Sequence, residues 1–231
     1  VILPKKGIFT STLEENKIQV YLINLVRFRF KNPFPYIKTV LKLYFFLKKE
    51  GVQIVHTSGL YPNQYCIIAA KLLKIPCICH IHTTSYSKED INNSLLKYSN
   101  LIIAVSNGVK EVIKYSSIDD NKIRVIYNGL NPDLYNVSKK KASEIKKNLG
   151  IPPQYKIIGQ IGQIIERKGI YYFLKMAELI IKQRKDVRFL LIGDDKYEPV
   201  YMKKMQALDR ELQLSQFIIF TGFIKEIPDF I

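Results

Sequence analysis

A basic turn in the second half of the sequence has the residue types that bind phosphate. An apolar run ends at Gly162, and a short loop then leads to Arg167, Lys168 and Gly169. We predict a helix from Gly169, and the free N–H groups and dipole at a helix start favour an anion. Arg167 and Lys168 add full positive charges there. The glycine spacing matches neither the P-loop nor the dinucleotide-binding fingerprint. The turn is therefore either a phosphate site or a basic turn capped by glycine.

The three histidines are the second group with chemical potential. His56, His80 and His82 fall near the carboxyl ends of predicted strands, where parallel sheets place their ligands. His80 and His82 are two residues apart and so share one face of a strand. We expect at least one of the three to line a ligand cleft. Histidines satisfied by backbone hydrogen bonds are one alternative. A zinc site is another alternative, although no thiol or carboxylate stands at an obvious position to complete the set of zinc ligands.

Composition limits the function classes. The 231 residues are 47% hydrophobic, which is enough to bury a core, and no apolar run reaches the length needed to span a bilayer. The net charge of +16 favours anionic partners, or reflects a lysine-rich solvated surface. Three cysteines without framework spacing indicate a reducing compartment. Cys77 and Cys79 lie in an apolar run and are expected to be small buried hydrophobic residues.

The elements that must position these residues form an α/β pattern. Short apolar runs alternate with amphipathic stretches, which is typical of a parallel sheet covered by helices on both faces. The predicted strands are residues 18–25, 52–57, 76–82, 101–105, 123–127, 156–162, 187–192 and 217–221. The predicted helices are residues 33–50, 61–74, 90–98, 107–116 (capped by Ser106), 169–185 and 199–214. Three prolines and a lysine run between residues 131 and 153 interrupt the rhythm. We therefore predict an incomplete N-terminal domain (1–135), a connection (136–154) and a truncated C-terminal domain (155–231).

Seven short motifs occur in an order that resembles the retaining glycosyltransferases of family 4. They are residues 54–56, 76–82, 104–106, 125–129, 161–169, 190–194 and 220–224. The resemblance covers nearly the whole chain and implies a GT-B fold, in which two Rossmann-like domains face a cleft. It implies an acceptor in the first domain and a nucleoside-diphosphate sugar in the second. It also implies no cofactor and no obligatory metal, because basic side chains and helix dipoles neutralise the diphosphate.

The resemblance gives individual residues a role. His82 matches the histidine near the transferred sugar and is the expected catalytic residue. Lys168 matches the lysine that grips the diphosphate. Gly162 and Gly193 match backbone positions on the donor side. Ile224 matches the position whose backbone meets the nucleobase.

Some positions depart from the family pattern. Gln163 stands where family members often carry arginine, so Arg167 is expected to substitute as a donor-binding cation. Asn131 replaces a common acidic residue, with little expected consequence. The paired glutamates that follow the next strand in the family are not found, nor is the glycine-rich first loop. We therefore expect an internal part of a longer enzyme that is inactive by itself.

The implied activity is transfer of a sugar to an acceptor hydroxyl with retention at the anomeric carbon. The expected setting is bacterial cell-surface polysaccharide or glycolipid synthesis, either in the cytoplasm or at the inner face of the plasma membrane, with a sugar or lipid-linked acceptor. A helix with Tyr36, Val40, Leu43 and Leu47 apolar and lysines beside them either rests on anionic lipid or is an ordinary sheet-covering helix. The alternatives are a nucleotide-sugar epimerase of the same fold and a basic nucleic-acid-binding protein. The motif order favours the transferase, and we expect no nucleic-acid partner because no binding module is present.

Overall fold

The computed structural model describes residues 1–26, 28–29, 31–116, 118–135, 139–225 and 227–230. The chain forms two compact units, Val1–Gly129 and Leu130–Ile231. The first three residues of the predicted connection, 136–138, lie outside the described part.

The first unit contains two parallel sheets. The small sheet pairs β1 (Ile2–Leu3) with β2 (Tyr21–Leu22), and the larger has four strands in sequence order. These strands are β3 (Val55–Ser58), β4 (Cys77–Ile81), β5 (Leu101–Ala104) and β6 (Ile123–Val125). The helices are α1 (Ile8–Glu15), α2 (Phe34–Lys49), α3 (Leu60–Leu73), α4 (Lys88–Asn93) and α5 (Asn107–Lys114), with 3₁₀ turns at Leu96–Tyr98 and Asp120–Lys122.

Burial alternates along β3 and β4 of the first unit. Val55, Cys77 and Cys79 are buried among apolar residues of the helices, which confirms that the cysteines are core residues. His56 and Ser58 project from the opposite face and are exposed. The expectation of two covered faces was therefore wrong for this sheet in the described part of the chain, because its helices pack their apolar residues against only one of them.

The second unit has one parallel sheet, ordered β7 (Lys156–Ile161), β8 (Val187–Ile192) and β9 (Ile218–Gly222). Its helices are α6 (Lys139–Asn148), α7 (Ile170–Gln183) and α8 (Pro199–Glu211), and 3₁₀ turns occupy Pro132–Tyr135, Glu166–Lys168 and Ile227–Phe230. The central strand β8 is buried on both faces, with Phe189 in one apolar cluster and Leu190 in the other. The apolar face of α7, formed by Ile170, Leu174, Ala177 and Ile181, packs into the first of these clusters.

The parallel α/β pattern is confirmed, and the differences have local causes. The predicted strand at 18–25 shrinks to Tyr21–Leu22, because its partner β1 is only two residues long. Both β1 and α1 escaped prediction. The predicted helix 90–98 is divided, because Leu95 adopts a left-handed φ of 58° between α4 and the following 3₁₀ turn. The Ser106 cap is confirmed, since its hydroxyl accepts the Val109 N–H at 3.2 Å.

Candidate functional site

Glycine ends or follows each strand of the second unit's sheet. The Gly162 N–H donates to the Ile192 carbonyl at 2.9 Å, and the Gly193 N–H donates to the Gly222 carbonyl at 3.0 Å. All three glycines have positive φ: 148° at Gly162, 156° at Gly193 and 71° at Gly222. A Cβ on Gly193 would lie 1.8 Å from the Gly162 carbonyl oxygen. The carboxyl edge of this sheet therefore requires glycine, and it presents bare backbone that a ligand can approach closely.

The basic turn predicted from the sequence stands beside this edge. Glu166–Lys168 forms a 3₁₀ turn, and Gly169, at φ 71°, is the N-cap of α7. The side chains of Arg167 and Lys168 are exposed, and within the described residues neither makes an ion pair. The Lys168 Cε lies 4.0 Å from the place a Cβ would occupy on Gly162. The structure thus brings Lys168 and Gly162 together and leaves the lysine charge available at the edge.

Two side chains hold the backbone of this turn. Gln160, on β7, donates its amide to the Lys168 carbonyl at 2.5 Å. Glu198, the N-cap of α8, accepts the Glu166 N–H at 3.0 Å. The turn is therefore attached to both a strand and a helix before any ligand binds. Sequence reasoning missed both residues, because the contacts link positions 8 and 32 residues apart and neither residue belongs to a recognisable local motif.

The other predicted donor-side positions of this unit differ in character. Gln163 is partly buried next to Gly162, and its carbonyl accepts the Ile165 N–H at 3.0 Å. The side chain of Ile224 packs against the cluster that contains Leu190 and Ile192. Only the backbone of Ile224 is thus suited to meet a ligand, and its contact with a nucleobase stays a prediction.

The three histidines of the first unit form a stack. The ring centroids of His56 and His80 are 5.6 Å apart with an interplanar angle of 18°, and those of His80 and His82 are 4.1 Å apart. The predicted shared face is confirmed. The exposed His82 follows β4, and its Nε2 lies 3.2 Å from the Ser58 hydroxyl, a partner that the sequence did not indicate.

Burial and neighbouring imidazoles make His80 unusual. Its Nε2 is buried and has no hydrogen-bond partner among the residues that the structure describes. Burial lowers the pKa of His80, and the adjacent His82 and His56 rings lower it further. In the described parts of the chain, no three His, Cys, Asp or Glu side chains are arranged to hold a metal ion. The zinc alternative therefore gains no support from the histidine stack.

Parallel α/β units with glycine at their strand ends and a basic turn before a helix define a class of Rossmann-like, phosphate-binding domains. Residues 8–134 match the sequence profile of Glycosyltransferase Family 4, and residues 141–231 match that of Glycosyl transferases group 1. The chain belongs to glycosyltransferase family 4, which confirms the family inferred from its motifs, whereas retention of configuration stays a prediction.

Curated relatives and solved structures agree with this assignment. The chain is 27% identical over 206 residues to the UDP-Gal:alpha-D-GlcNAc-diphosphoundecaprenol alpha-1,3-galactosyltransferase of Escherichia coli, covering 83% of this chain and 52% of the relative. It is 25% identical over 177 residues to the putative glycosyltransferase EpsF of Bacillus subtilis, covering 71% and 45%. The chain thus spans about half the length of these relatives.

The fold is of the GT-B type. Alr3699/HepE of Anabaena, solved with UDP and glucose, matches with a TM-score of 0.84 at 22% identity, covering all of this chain and 63% of that one. A glycosyltransferase from Rickettsia africae matches with a TM-score of 0.79 at 23% identity, covering 97% and 60%.

Proposed function

We propose that the protein containing this chain transfers a sugar from a nucleoside-diphosphate sugar to an acceptor hydroxyl, with retention of configuration at the anomeric carbon. The observation that carries the proposal is the side chain of Lys168 extending over the Gly162 backbone, at a turn held on both sides. Membership of a glycosyltransferase family supports the reaction class. The UDP bound to HepE supports a nucleoside-diphosphate donor.

The main chemical demand of this reaction is to stabilise negative charge on the leaving diphosphate. In the proposal Lys168 supplies a full charge, and the N-terminus of α7 supplies backbone N–H groups and its dipole. Arg167 provides the second positive charge, because the neutral Gln163 stands where family members often carry arginine. No obligatory metal is needed in this scheme. His82, in the first unit, is proposed to contact the transferred sugar, a role that rests on the family resemblance.

The proposed acceptor is a sugar or a lipid-linked sugar. The Escherichia coli relative acts on a diphosphoundecaprenol-linked sugar, which supports a lipid-linked acceptor here. Because the chain is similar to this Escherichia coli enzyme, we also propose a role in bacterial cell-surface polysaccharide or glycolipid synthesis, at the cytoplasmic face of the membrane.

Titration of the 231-residue chain with UDP tests the donor site without requiring turnover. We expect Lys168→Ala to weaken UDP binding about 10- to 150-fold, because a hydrogen bond to a charged group contributes about 1.5–3 kcal/mol. Lys185→Ala is the matched control, since this exposed lysine lies between α7 and β8, at the opposite edge of the sheet. Equal UDP affinity of the two variants, or no UDP binding by the parent chain, would contradict the proposal.

Turnover is measured in the full-length enzyme. There Lys168→Ala is expected to reduce the rate of sugar transfer by at least about a hundredfold. The linkage in the product, compared with that in the donor, reports whether configuration is retained. Near-normal transfer by this variant would remove Lys168 from the mechanism.

A further inference from the structure

Helix α2 has an inner face that belongs to the core of the first unit. Val40, Leu43 and Leu47 are buried in the apolar cluster that also contains residues of α3 and β3. Tyr36 donates its hydroxyl to the Gln64 carbonyl at 2.8 Å and packs against Tyr65. The apolar face that the sequence offered as a candidate membrane surface is therefore a packing face, as the sheet-covering alternative predicted.

The same helix carries a second apolar stripe on its outer face. Its members are Phe34, Ile37, Leu41 and Phe45, which are 77%, 47%, 45% and 63% exposed. Spacings of three and four residues put them on one side of the helix. Four large apolar side chains in a row on a surface helix exceed the scattered exposure that is normal for soluble proteins. The outer stripe therefore indicates a surface that another body covers.

The charged residues of α2 are all positive. Lys38, Lys42, Lys48 and Lys49 are exposed, and α2 contains no acidic residue. At 100° per residue, Lys38, Lys42 and Lys49 project along one flank of the stripe, and Lys48 falls within the arc of the stripe near its carboxyl end. In the part of the chain that the structure describes, these lysines make no ion pairs. The nearest acid in sequence, Glu50, accepts the Tyr21 hydroxyl at 2.9 Å.

We propose that α2 docks lengthwise on an anionic lipid bilayer. Phe34, Ile37, Leu41 and Phe45 enter the boundary between headgroups and acyl chains, and the lysines contact lipid phosphates. The helix lies on the membrane rather than crossing it, since no helix in the described residues is both long and apolar enough to span a bilayer. This proposal rests on the proposed function, because docking would bring the enzyme to the membrane surface where a lipid-linked acceptor is presented. Docking itself requires neither donor nor turnover.

Charge complementarity selects the bilayer over a second copy of the chain. Two copies meeting through α2 would bring eight lysines together with no acid in either helix. An anionic bilayer neutralises the same lysines, and the chain's net charge of +16 acts in the same direction. The combination of an apolar stripe and a basic flank is that of interfacial helices.

Vesicle co-sedimentation of the 231-residue chain tests the docking. We expect binding to vesicles of mixed phosphatidylglycerol and phosphatidylcholine, with little binding to phosphatidylcholine alone. Phe34→Ser with Phe45→Ser is expected to reduce binding at least about tenfold, because two aromatic side chains no longer enter the lipid. Lys38→Gln with Lys42→Gln is expected to reduce it about 30-fold, at about fivefold for each lysine near the surface. Added salt should weaken binding of the parent chain and affect the lysine variant less.

Matched controls come from the second unit. Leu179→Ser removes a side chain that is 61% exposed but is not part of the stripe. Lys203→Gln with Lys204→Gln removes two exposed lysines of α8. Both controls should bind vesicles like the parent chain. The substituted residues of α2 are exposed, so circular dichroism and UDP affinity should be unchanged in all variants.

Three results would overturn the docking proposal. One is equal binding to neutral and anionic vesicles, and another is stripe variants that bind like the parent. The third is a combined result: the parent chain does not bind vesicles, light scattering shows that it is a dimer, and the stripe variants are monomers. Loss of UDP binding with vesicle binding intact would instead contradict the proposed function and leave the docking in place.

Discussion

Replacement of Gly193 by alanine tests the tight edge of the second sheet. The added Cβ would stand 1.8 Å from the Gly162 oxygen and 2.7 Å from its carbon, whereas ordinary contacts begin at 3.4 Å. To reach that distance the ends of β7 and β8 must move apart. The hydrogen bond from the Gly162 N–H to the Ile192 carbonyl, 2.9 Å long, would then break.

The expected cost to the stability of the second unit is about 2.5–7.5 kcal/mol. It combines about 1–3 kcal/mol of backbone strain at a φ of 156°, about 1–3 kcal/mol of overpacking and about 0.5–1.5 kcal/mol for the lost hydrogen bond. Gly159→Ala is the matched control. Gly159 also lies in this sheet, and nothing stands within 4 Å of an added Cβ, so we expect a change of less than about 1 kcal/mol.

Hydrogen exchange of the amides in Lys156–Ile161 and Val187–Ile192 is the best measure. It reports opening of this sheet directly, whereas a two-unit chain need not unfold in one step. Gly193→Ala should lower protection at the carboxyl ends of both strands and weaken UDP binding as well. Equal protection in Gly193→Ala and Gly159→Ala would show that the close approach of these backbones is not as described.

The remaining predictions concern other contacts of the two units. Glu198→Ala should speed amide exchange at Glu166 about 10- to 150-fold, because an acceptor worth about 1.5–3 kcal/mol is removed, and Glu198→Gln, which keeps an acceptor, should have a smaller effect. The lowered pKa of His80 means that its contribution to stability is complete above its usual value of 6.5 and is lost as the pH falls below it, since the unfolded chain takes up the proton first. His80→Asn should therefore flatten the fall of first-unit stability in acid. Burial raises the pKa of Cys77 to about 11 and that of Cys79 to about 12. At pH 8 both thiols should react with a disulfide reagent at least about a hundredfold more slowly in the folded chain than in urea.

Each of these expectations has a contrary result. Exchange at Glu166 that is unchanged in Glu198→Ala would show that the carboxylate does not hold the turn. If the stability of the first unit falls in acid by the same amount in the parent chain and in His80→Asn, the pH dependence belongs to other groups. Fast modification of folded thiols would show that the face carrying Cys77 and Cys79 opens readily.

The sequence was sufficient for features that depend on neighbouring residues. The turn at Lys168, the helix after Gly169 and the cap at Ser106 are local, because a few adjacent residues determine them. The parallel pattern followed from the length and order of the apolar runs. By contrast, the supports from Gln160 and Glu198 depend on how distant elements meet, and no local pattern indicates them.

Helix α2 shows the limit of periodicity more sharply. Val40 and Leu43 repeat with a helical spacing, and so do Phe34, Leu41 and Phe45. Periodicity identifies both stripes without saying which one faces the core. Packing against α3 decides the question, and the exposed stripe becomes recognisable only when the buried one is known.

The two-residue period of β4 separates the oxidisable groups of the first unit from the protonatable ones. Cys77 and Cys79 face the apolar core, whereas His80 stands on the opposite face of the same strand. Insertion or deletion of a single residue inside β4 would exchange these sets, exposing thiols to oxidants and burying imidazole in apolar surroundings. We therefore expect length variation among relatives to be accepted in the Lys74–Pro76 connection and rejected between Cys77 and Ile81.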